Sequence, residues 1–137
     1  MTNLSIALAM IMATETPNMD TQAVGDLHLP VARRSHGRMQ IRKPVLDDLT
    51  AWDGGRLIWT QADSQNPDLD VPMAARWLRH YCGSKASVKR YLQTWNGGRT
   101  GWKSPDAQAY YKRAVTIKAT RPQYYWRCIE EIRRFGI

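Results

Sequence analysis

The sequence predicts a mainly helical α+β single domain. Six segments space apolar residues at helical intervals behind proline or hydroxyl-bearing starts. One stretch, residues 16–34, carries Pro17, Asn18, Asp20, Gly25, Asp26 and Pro30, and reads as loop with a short irregular hairpin. The 137 residues, 43% of them hydrophobic, suffice for one real core and are too few for two comfortable ones.

The first helix takes the apolar run Leu4 to Ala13, with Thr2 or Asn3 as cap. It ends at Glu15, because Pro17 disfavours helical backbone at Thr16. Glu15 then stands at the negative end of the helix macrodipole, with Ile11 and Met12 in the preceding turn. Both influences raise a carboxyl pKa. A carboxyl group still protonated near neutral pH is what a general acid at a glycosidic oxygen requires. Taken alone, the same residue reads as an ordinary glutamate at a frayed helix end.

Pro44 opens a second helix with Val45, Leu49 and Trp52 on one stripe and Gly54-Gly55 as its stop. From Arg56 to Asp70 the chain reads as polar and irregular, with Leu57-Ile58-Trp59 assigned to the core. Asp70 caps the next helix, which runs to Cys82 and closes at Gly83. A helix from Ser84 or Ser87 lines up Val88, Tyr91, Leu92 and Trp95, and delivers Trp95-Asn96-Gly97-Gly98 at its end. Ser104-Pro105 and Pro122 start the last two, which carry Tyr110 and Tyr111, and Tyr125, Cys128, Ile129 and Ile132.

Four motifs in order bear on function: Glu15 closing a helix, Ala23-Val24-Gly25-Asp26, Ser35-x-Gly37-x-x-Gln40-Ile41, and Trp95-Asn96-Gly97-Gly98 followed by the pair Tyr110 and Tyr111. This order resembles the lytic transglycosylases and related lysozyme-like muramidases, small phage-borne members above all, over residues 4 to 115. The resemblance implies a lysozyme-like fold with a small sheet or extended loop beside a sugar cleft. It implies Glu15 as the catalytic acid, the segment Ser35, Gly37, Met39, Gln40 and Ile41 as one wall, and Trp95, Asn96 and Gly97 as the floor opposite. Thr16 stands where the family has serine, keeping the hydroxyl and adding a methyl group. Ser104-Pro105-Asp106-Ala107 replaces the family's Glu-Thr pair, so the supporting tyrosine is open between Tyr110, Tyr111 and the later Tyr124 or Tyr125. The expected substrate is the peptidoglycan glycan strand, cleaved between N-acetylmuramic acid and N-acetylglucosamine. In a hydrolytic lysozyme course, Asp26, the one acid inside a motif, would be the second carboxylate, with Asp20 as the other candidate.

The formal charge of +8 attracts a polyanion without naming it, and fourteen arginines against six lysines suit phosphate recognition. The basic residues are spread along the chain, as suits an enzyme approaching anionic wall polymers. A basic DNA-binding protein and an inactive wall binder are the other readings, and nucleic acid is not the expected partner. Cys82 and Cys128 lack metal-ligand spacing, so neither metal nor other cofactor is expected. The two cysteines are read as free buried thiols or, in an exported protein, a disulfide. Leu4 to Ala13 has the length of a signal-peptide core, but Met1-Thr2-Asn3 supplies no positive charge. Ten residues are also too few to span a bilayer. The expectation is a monomer acting on the wall, delivered by phage lysis or on a virion.

Overall fold

The computed structural model describes residues 1–137. Seven helices form: α1 (Asn3–Glu15), α2 (Lys43–Trp52), α3 (Gln61–Ser64), α4 (Asp70–Cys82), α5 (Val88–Gly101), α6 (Pro105–Thr120) and α7 (Pro122–Arg133), with one 3-10 turn at Val31–Arg33. No helix is long and apolar enough to cross a membrane.

α1 is the axis of the molecule. Leu4, Ala7, Leu8, Ala9, Met10, Ile11, Met12 and Ala13 are all buried, so the helix is apolar around its whole circumference. A helix of that kind must be surrounded. α4, α5, α6 and α7 pack around it. Each large side chain it buries, such as Leu8, Ile11 or Met12, contributes about 1.5–3 kcal/mol. The hydroxyl of Thr2 accepts from the Ser5 amide and caps its start.

The fold is all-helical, which corrects the expectation of an α+β domain with a small sheet. Residues 16–42 contain only two isolated antiparallel bridges, Val24 with His36 and His36 with Ile41. His36 exchanges amide hydrogen bonds with Ile41, while the flanking Gly25 and Gly37 amides donate to Ser35 and Ala23. Strands need several consecutive pairs. Here positive φ at Asp26, Gly37 and Gln40 turns the chain away after each one.

Three finer expectations also change. Asp70 begins α4 but does not cap it from outside: Leu69 holds the cap position, and the fully buried Asp70 carboxylate is held by Arg38. Leu57 and Ile58 are exposed, at 53% and 69%; only Trp59 turns inward, donating its indole N–H to Asp53. α3 occupies part of the stretch read as irregular. Cys82 and Cys128 are both unpaired thiols.

Arg38 ties the long loop to the helices. Its guanidinium meets both oxygens of Asp70 at 2.6 and 3.2 Å, Glu131 at 2.8 Å and the Pro67 carbonyl at 3.0 Å. Its own carbonyl accepts from the Thr16 hydroxyl at 3.1 Å. One buried side chain thus joins the loop to α4 and α7, and its backbone holds the residue after Glu15.

Candidate active site

Glu15 opens into a cleft of about 220 Å³ lined also by Gln40, Arg42, Pro44, Val45, Trp77, Trp95, Asn96, Gly97 and Gly98. Two wider hollows adjoin it. One shares Arg42 and Pro44 and continues past Asp26 and His28; the other shares Arg42, Asn96 and Gly97 and continues past Tyr110 and Arg113. Together they make a groove with the carboxyl near its middle, a shape suited to a chain-like substrate.

The carboxyl is reached from the groove but crowded by protein elsewhere. That burial lifts the Glu15 pKa above the ordinary glutamate range; the Tyr110 hydroxyl, then Arg42 and Arg113, draw it partly back, and Asp26 adds a smaller upward push. Tyr110 donates to Glu15 Oε1 at 2.8 Å. Burial, then the neighbouring carboxylate, hold the Tyr110 phenol well above its usual pKa, so it remains a donor throughout the working range. Replacing Tyr110 by Phe removes the bond that favours the charged form of Glu15. If Glu15 serves as a general acid, the alkaline limb of the pH–rate profile should then move to higher pH, with about a tenfold loss of rate from the less firmly held carboxyl. An unmoved limb would detach Tyr110 from the acid.

Of the other tyrosines, Tyr111 lies beside Lys89, with the ammonium 5.5 Å from its ring centre, and does not line the groove. Tyr124 acts on the backbone instead. Its hydroxyl donates to the Thr16 carbonyl and accepts from the Met19 amide, closing the turn that follows the acid.

The sequence-assigned wall divides. Gln40 faces the groove, held by Ser35, whose hydroxyl donates to Gln40 Oε1 at 2.7 Å, and by its own amide donating to the Gly37 carbonyl. Ser35, Met39 and Ile41 are buried behind it, and the Thr16 hydroxyl is spent on Met12 and Arg38 carbonyls. Gly37 also serves packing: at φ +79 a Cβ would come 2.1 Å from the Ser64 carbonyl oxygen of α3. These five residues shape the site without touching what enters it.

Across the groove, Trp95, Asn96 and Gly97 all line the cleft. They do not end the helix. α5 continues to Gly101, interrupted at Gly98 where φ is 77°, and that break exposes the groove edge. Gly97 lets the α5–α6 turn close, since a Cβ there would sit 2.9 Å from the Trp102 amide nitrogen.

Asp26 is engaged. Arg42 donates to both of its oxygens, at 3.0 and 3.4 Å. Arg42 therefore stands between the two acids and lines all three hollows.

No protein-family model, curated protein or solved structure matches the chain.

Sequence reasoning missed Arg42, Trp77 and Arg113. Trp77 stands edge-on to Trp95, with ring centres 5.8 Å apart, and is fixed by Asp48, which accepts from its indole N–H at 2.9 Å and from the Tyr81 hydroxyl at 2.7 Å. The Trp77–Trp95 pair gives the cleft an aromatic wall. Trp77 lies within the Asp70–Cys82 helix, whose sequence carried no signal of this. Arg42, directly after Ile41, and Arg113, three residues after Tyr110, were findable as cations beside motif residues.

Proposed function

We propose that the protein is a peptidoglycan-degrading glycosidase that cleaves the β-1,4 bond between N-acetylmuramic acid and N-acetylglucosamine with Glu15 as its single catalytic carboxyl. The observation that carries this is a carboxyl of raised pKa, hydrogen-bonded by a tyrosine, in the middle of a groove with an aromatic wall. Glu15 donates its proton to the leaving glycosidic oxygen as the C1–O bond breaks. As carboxylate it then takes the proton from the muramyl 6-hydroxyl as that oxygen bonds to C1, leaving a 1,6-anhydro end. Arg42, Arg113 and the Tyr110 hydroxyl stabilise the intervening carboxylate. Asn96 offers a donor and an acceptor suited to an N-acetyl group.

The grip of Arg42 on both Asp26 oxygens favours this course over hydrolysis. The paired guanidinium balances the Asp26 charge that would otherwise serve a water-positioning base or an oxocarbenium-like state. The wild-type protein should release soluble glycan fragments from purified wall sacculi. Sedimentation with sacculi and no release would leave only wall binding.

A further inference from the structure

On the other side of the α5–α6 turn from the groove lies a second hollow of about 580 Å³, lined by Ser87, Lys89, Arg90, Gln93, Trp102, Lys103 and Gln108. No carboxylate lines it, and none of its three cations takes part in an ion pair. Arg90 is held in place: its guanidinium carbon lies 3.5 Å from the centre of the Trp102 ring and its Nε donates to the Thr94 hydroxyl. That leaves the two terminal nitrogens for a ligand. Lys103 also approaches the indole, with Nζ at 4.9 Å.

Gln93 is the decisive residue. It is 5% exposed and borders this hollow; no buried side-chain polar atom of the protein lacks a hydrogen-bond partner, and its amide makes no bond within the protein, so the part of Gln93 left open is the amide, facing the hollow. A fixed guanidinium, two mobile ammonium groups, an unpartnered amide and the positive first turn of α5 make a site for a tetrahedral oxyanion.

We propose that this hollow binds a phosphodiester group of a linear polyol-phosphate polymer of the cell wall, and so holds the protein on wall that carries such polymers. This rests on the glycosidase reading above for the choice of polymer. The arrangement favours a polyol chain over nucleic acid because the one aromatic ring already carries Arg90 and Lys103, which denies a base its stacking platform. Lys103 adjoins Ser104, which lines the groove proposed for the glycan strand, so the two hollows are neighbours across the turn.

The test is direct binding of the full chain to a soluble glycerol-phosphate oligomer, measured by calorimetry over a range of salt, beside a duplex DNA of equal charge. Cleavage of polymer-free peptidoglycan is assayed separately. Wild type should bind the oligomer with an affinity that falls as salt rises. Lys103→Glu, a change at an exposed position, and Gln93→Leu should each weaken binding at least tenfold while leaving any cleavage of polymer-free wall as in wild type. Unchanged binding in both variants, or tighter binding of the duplex with the same losses, would overturn the proposal. Because binding is read without turnover, it succeeds or fails independently of the glycosidase assignment.

Discussion

Glu15→Gln should abolish release of glycan fragments from sacculi, with a loss of at least about 10³-fold in rate. Glutamine is nearly the same shape and can still accept the Tyr110 hydrogen bond, but it has no proton to give. General acid–base catalysis contributes about 10²–10⁴-fold, and in the course proposed above this one residue serves as both acid and base. The variant should also be no less stable than wild type at neutral pH. The sign follows from the raised pKa: between the unfolded and folded values the native state holds a proton that the unfolded chain has released. Stability therefore falls as pH rises through that window, above the ordinary glutamate value. Glutamine has no such dependence. Melting temperatures of the two proteins should diverge in the variant's favour from pH 4.5 towards 7; a Gln variant that melts well below wild type at pH 7 would mean that the carboxylate holds the fold rather than strains it.

Arg38→Met should be the most damaging single change to stability. It leaves Asp70, wholly shielded from solvent, without its cation, and it removes one of the two arginines that hold the Glu131 side chain and the Pro67 carbonyl, leaving Arg134 alone on both. Breaking a buried pair from one side costs about 3–5 kcal/mol. In a chain of this size the melting temperature should drop by about 10 °C or more. Replacing both partners, Arg38→Met with Asp70→Leu, should recover much of the loss, because no charge is then left buried alone. A single variant within about 1 kcal/mol of wild type in denaturant melts would show that Arg38 contributes little to holding the loop against α4 and α7.

The network also marks where sequence reasoning runs out. The boundaries of α1, α2, α4, α6 and α7 were legible because proline, hydroxyl and glycine signals act locally. The closing of the loop was not. Arg38 occupies a variable position within Gly37-x-x-Gln40-Ile41, and its partners lie 32 and 93 residues away, beyond any periodic pattern. The hairpin expectation failed for a related reason: Gly and Asp residues that suit a tight turn also allow the positive φ values that end pairing after one bridge. α3 was readable and overlooked, since Thr60 and Asp63 form the hydrogen-bonded start of a helix in which Asp63 accepts from the Thr60 amide.

In the groove, spacing alone left three tyrosine assignments open. The fold gives Tyr110 to the carboxyl and Tyr124 to the backbone behind it. Tyr124 stands on α7, outside residues 4–115 in which the motifs were read. Helix periodicity placed Trp77 on α4 and said nothing of which packed face would border the cleft.

The most direct test of Glu15 as sole catalytic carboxyl is mass spectrometry of fragments released from purified peptidoglycan by wild type and by Glu15→Gln. Anhydro-ended muropeptides from wild type, and none from the variant, are the expected result. Reducing-ended products, or anhydro-ended ones from both proteins, would contradict it.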